Sequence, residues 1–165
     1  MNTILLTITL VCFISYVAFI WIKYGIQESI SASYYKLPRN LQWLFTIATW
    51  GYAFPAIMLG VPYSLLAFLA GAAICFVSAS PAFRGKDKND HTMEGTVHMV
   101  GAIVGVTAAQ LMIFLAPFSM WYINVGFLAL CGVSYLIPKM KVNFTWWIEL
   151  YAFISIVLAY YLKIF

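Results

Sequence analysis

The chain has 165 residues, 64% of them apolar and only 8% charged, with a mean hydropathy of +0.93. A soluble domain carries about 25% charged and about 45–50% apolar residues, so this balance excludes a water-surrounded globule and leaves the bilayer as the solvent. The formal net charge of +4 is no nucleic-acid signature, because the basic residues sit in gaps between apolar runs, and no nucleic-acid partner is expected.

The first apolar run, residues 3–22, is long enough to span. Its first basic residue, Lys23, follows the run instead of preceding it, so it reads as a retained helix with a translocated N-terminus and not as a signal peptide. The polar gap 23–40 repeats Ile26, Ile30, Tyr34 and Leu37 at helical spacing. This predicts a short interfacial helix with Gln27, Glu28 and Ser31 facing water or another loop, ended by Pro38.

Spans follow at 41–60, with Pro55 inside, and at 63–83, with small residues at Ala67, Gly71, Cys75 and Ala79. A charged gap leads to a span over 90–116, for which Asp90 is the expected N-cap. Further spans at 118–137 and 146–165 complete a single all-α domain, 1–165. The predicted fold is a six-transmembrane-helix bundle. Cys12, Cys75 and Cys131 lie singly in apolar runs, without C-x-x-C spacing, and read as packing residues.

Eight of the nine Lys and Arg fall in the first, third and fifth gaps, which share one side of a six-span chain. The positive-inside rule makes that side cytoplasmic and puts both termini on the outer side. Aromatic residues mark both interfaces: Trp21, Tyr24, Trp43, Trp146 and Trp147 inside, and Tyr63, Trp121, Tyr122, Tyr160 and Tyr161 outside. A faint echo aligns Pro62-Tyr63-Ser64 with Pro117-Phe118-Ser119 at an offset of 55 residues. It reads either as a parallel repeat or as two similar outer turns.

Segment 87–109 carries both histidines. On a helix His91, Glu94 and His98 fall within roughly 60° of one another, above a seam of Gly101, Gly105 and Ala109. Two imidazoles and a carboxylate are a legitimate divalent-metal ligand set. The rise of roughly 10.5 Å between His91 and His98 argues against one shared ion, and no cofactor is clearly implied. The expectation is that His91 and Glu94 are solvated at the helix mouth. His98 is committed to the interior, satisfied by a hydroxyl or carboxylate from elsewhere.

Glu28 and Glu149 are the other candidate acids on the same side. A serine of Glu28-Ser29-Ile30-Ser31-Ala32-Ser33 with His98 as base would satisfy the logic of an activated nucleophile. Seven-helix ceramidase-like membrane hydrolases hold zinc on histidines, an aspartate and a serine; with six spans and two histidines this chain lacks that pattern. Three classes of function follow. One is binding of a lipid or a membrane partner, with the Gly/Ala seams of the third and fourth spans available to a second copy or another protein. The others are an embedded enzyme acting on a lipid headgroup and a small facilitator-type transporter.

Overall fold

The computed structural model describes residues 1–80 and 92–165, so Asp87, Asp90 and His91, with the expected cap and the upper part of the histidine face, lie outside the described residues. Every regular element among those described is helical. The first apolar run forms α1, Asn2–Tyr24, which stops at Gly25. Gly25 adopts φ 75° and ψ −178°, a region essentially reserved for glycine, and its N–H bonds Trp21 O at 3.0 Å. The chain then crosses two short 3-10 helices, Ser31–Lys36 and Arg39–Leu41, and enters α2, Trp43–Gly60. After a tight turn come α3, Leu65–Ala79, and α4, Thr92–Phe114. They are followed by α5, Trp121–Leu136, the short α6, Pro138–Lys141, and α7, Phe144–Ile164.

Among the described residues, four helical stretches are long and apolar enough to cross a bilayer: Asn2–Tyr24, Arg39–Gly60, Glu94–Phe114 and Phe144–Ile164. α3 and α5 are apolar but shorter, with 15 and 16 residues. At 1.5 Å per residue they reach roughly 22–24 Å, against a hydrocarbon core of about 30 Å. Both start later than the apolar pattern suggests because the preceding residues are spent on turns. Tyr63 and Ser64 each donate a backbone N–H to Gly60 O at 2.9 Å, and Ser64 then caps α3 through Leu66 N. Ahead of α5, Ser119 takes φ 52° and Met120 N bonds Ile113 O at 2.8 Å. The two turns of the 55-residue echo are thus built differently. They nevertheless meet at one end of the bundle, where the Tyr63 and Phe118 rings pack edge-on at 5.8 Å and Lys163 Nζ bonds Pro117 O.

The interfacial helix expected over 23–40 is the clearest correction. A 3-10 helix eclipses residues i and i+3, so Ile30 and Ser33 share a face where an α-helical period pairs Ile30 with Tyr34. That face turns into the bundle. Ile30, Ser31, Ser33 and Leu37 are all buried. Ser33 Oγ meets Tyr16 Oη at 2.6 Å and donates to Ile30 O at 2.5 Å. The aromatic markers are corrected too: Trp146 and Tyr160 are core residues, whereas Trp21, Trp43, Trp121, Tyr122 and Tyr161 remain exposed.

Helix α2 packs between α1 and α3, α3 packs on α4, and α7 touches α1, α2, α4 and α5. A cluster of Phe13, Tyr52 and Phe153 ties α1, α2 and α7 together, with Tyr52 Oη bonded to Phe153 O at 3.1 Å. The glycine seams are filled within the chain. A Cβ on Gly101 would lie 3.0 Å from Val77 Cγ2 and 3.1 Å from Ala73 O, and one on Gly105 would lie 3.3 Å from Ala73 Cβ. Gly71 does the same for Ile57 and Ala53 of α2. Backbones this close maximise dispersion where lipid offers no hydrophobic gain. Gln110, Asn124 and Ser155 bond across α4, α5 and α7 through Gln110 Nε2 to Ser155 Oγ and Asn124 Nδ2 to Gln110 Oε1, both 2.9 Å.

Candidate functional site

At the end of the bundle opposite the Tyr63–Phe118 contact, segment 25–41 folds back over the N-terminal ends of α4 and α7. Two bonds fasten it to α7. Trp146 N donates to Glu28 O at 3.2 Å, and Ile30 N donates to Glu149 Oε2 at 2.5 Å. Glu149 therefore acts as an N-terminal cap supplied from a distant helix, accepting the Ile30 amide just ahead of the 3-10 helix Ser31–Lys36. It lies beyond the first turn of α7, away from the positive dipole end of its own helix.

Ser31 is the hub. Its Oγ stands 2.9 Å from His98 Nε2, 2.9 Å from Ser29 Oγ and 3.3 Å from Glu149 Oε1. The other ring nitrogen, His98 Nδ1, stands 3.2 Å from Ser80 Oγ at the end of α3. His98 thus meets the expectation of an interior histidine satisfied by hydroxyls, and it joins three separate parts of the chain. Ser80 was missed from sequence. Its signal was only a polar residue closing the third apolar run on the same side.

The remaining candidates divide. Glu94 is buried, at 7% exposure, so the expectation of a solvated carboxylate is overturned. Glu28 keeps an exposed side chain and is tied in by its backbone oxygen, and Glu149 takes the anchoring role. Among the described residues no three His, Cys, Asp or Glu side chains converge as metal ligands, and His91 lies outside those residues. Both nitrogens of His98 already face hydroxyls, so an ion there would have to displace Ser31 or Ser80.

Around this hub lies a cavity of about 690 Å³. Glu28, Glu94, Glu149, Ser29, Ser31, Ser80, Thr145 and His98 give it a polar lining, and Tyr35, Phe45, Val77, Met99 and Ala102 an apolar one. A second, narrow cavity of about 60 Å³ runs on between α2, α3, α4 and α7, walled by Ile74, Gly101, Gly105, Val106, Phe153 and Ile156. The two share Ser31, Phe45, Val77, Ala102 and Glu149, so a polar chamber adjoins an apolar crevice.

Comparison with protein families, curated proteins and solved structures gave no match. The chemistry must therefore be read from the site itself. It offers carboxylates, hydroxyls and one imidazole, and no Lys or Arg among the described lining residues. Such a lining favours hydroxyl, amide or cationic groups over an unpaired anion.

Proposed function

We propose that the chain is an integral membrane protein of six spans that binds a lipid-like amphiphile in the Ser31–His98–Glu149 cavity. The ligand's headgroup is hydroxylated or cationic and its acyl chain points toward the apolar crevice. The observation that carries this reading is the adjacency of the two cavities, polar at the helix mouths and apolar between the helices α2, α3, α4 and α7. Volumes of about 300–1,000 Å³ are typical of small-molecule pockets, and the chamber falls in that range.

The test is native mass spectrometry of protein purified with its membrane lipids. Wild type is expected to retain about one lipid per chain. Ala102→Trp, which puts an indole into the space shared by both cavities, is expected to lose it while melting within a few degrees of wild type. An equal lipid load on both proteins would end the proposal.

The six-span topology puts the charged gaps and this cavity on the cytoplasmic side, with α3 and α5 spanning as short helices in a locally thinned bilayer. Single cysteines at Arg39 and Tyr63, in a background lacking the three native ones, are expected to react with a membrane-impermeant maleimide from opposite sides of oriented vesicles. Labelling from one side alone would refute that arrangement.

A further inference from the structure

We propose that Ser31 is a nucleophile and His98 its general base, acting on the carboxylic ester of a bound amphiphile; this rests on the binding reading above and names its substrate class. Ser80 Oγ has one proton and stands 2.8 Å from Val77 O, which can only accept. Toward His98 Nδ1 it therefore offers a lone pair, and the ring proton sits on Nδ1. Nε2 is left as an acceptor for the Ser31 proton, which has two acceptors in reach, Nε2 at 2.9 Å and Glu149 Oε1 at 3.3 Å, and the shorter contact is the one to the imidazole. Ser29 Oγ receives the Ala32 N–H at 2.9 Å, so its own proton goes to Ser31 Oγ, also at 2.9 Å. The bonds run in one direction, from Ser29 through Ser31 and His98 to Ser80 and the Val77 carbonyl.

That direction selects the tautomer a serine nucleophile needs. The neutral imidazole presents a free nitrogen to the hydroxyl, and a third group fixes the ring from the far side. Here a serine hydroxyl takes the place a carboxylate fills in a triad. In the acylation step Ser31 Oγ bonds to the ester carbonyl carbon and its proton moves to His98 Nε2. The ester C–O bond breaks and the departing alcohol takes that proton. Water then attacks the acyl-serine, giving a proton to Nε2. Ser31 leaves and recovers the proton, and the carboxylic acid is released. The sum is ester plus water to acid plus alcohol. The acidic lining admits an alcohol such as a polyol or an amino alcohol, and the crevice takes the chain of the acyl group.

The experiment treats the full-length protein in lipid nanodiscs with an alkyl fluorophosphonate. Ser31 Oγ would attack phosphorus and expel fluoride. Peptide mass spectrometry then locates the adduct, and native mass spectrometry of the same samples counts bound lipid. The expected result is an adduct on Ser31, absent in Ser31→Ala and formed about 10²-fold more slowly or worse in His98→Gln, with lipid bound to the wild type before treatment. Lipid bound to wild type without a Ser31 adduct overturns the catalytic inference and leaves the binding reading standing. An adduct at an unchanged rate in His98→Gln overturns the role of His98 as base. Neither lipid nor adduct overturns both readings.

Discussion

Glu149→Leu is expected to release segment 25–41 from the bundle and to lower stability by about 1–3 kcal/mol, from a buried amide losing its acceptor. The Ile30 amide meets Glu149 Oε2 at 2.5 Å beneath a side chain that is 3% exposed, so water cannot easily take over the bond. Leucine fills a similar volume but accepts nothing. Glu149→Gln keeps one carbonyl oxygen for Ile30 and is expected to cost about half as much. Tryptophan fluorescence during thermal unfolding in detergent measures the difference. Trypsin offers an independent reading, because Lys36 and Arg39 sit on the exposed side of the fastened segment and cleavage there should accelerate in the leucine variant. A Glu149→Leu protein that melts like wild type and resists trypsin equally would show that this carboxylate does not hold the segment.

Gly101→Leu is expected to prevent α3 and α4 from closing, a loss of about 3 kcal/mol or more through forced separation of packed backbones. Even a bare Cβ there comes within 3.1 Å of Ala73 O, an atom that cannot move aside as a side-chain tip can. Gly126→Leu in α5 is the matched control. Nothing lies within 4 Å of a Cβ at that site, and the effect should stay within about 0.5 kcal/mol. Equal yields and melting temperatures for the two leucine variants would contradict the close approach of α3 and α4.

How much of this was legible in the linear chain depends on the kind of signal each residue carries. The apolar runs and their gaps are one-dimensional signals, and they placed α1, α2, α4 and α7 within a few residues of where they lie. His98 stood out because an ionisable group in an apolar run is expensive unless something satisfies it. Glu149 was identified as a potential partner on the grounds of side alone. The hub itself was hidden. Choosing Ser31 over Ser29 or Ser33 requires knowing that segment 31–36 winds with three residues per turn, and apolar spacing pointed to the longer α-helical period. Glu94 looked solvated because burial depends on tertiary neighbours, which leave no trace in the pattern of the helix that carries it. Trp146 and Tyr160 looked like interface anchors because the same rings serve headgroup and core, and only packing separates the two roles.

The central claim is that the chamber and its crevice hold one amphiphile, and photolabelling tests it most directly. A monoacyl glycerol ester with a diazirine near its headgroup is illuminated with the protein in nanodiscs, and the adducts are mapped by mass spectrometry. The account predicts adducts at Tyr35, Met99 and Ala102, suppressed by excess unlabelled lipid and lost in Ala102→Trp. Exposed α5 positions such as Val125 and Leu128 should label weakly and without competition. Adducts confined to such exposed positions, with the cavity residues unlabelled, would contradict it.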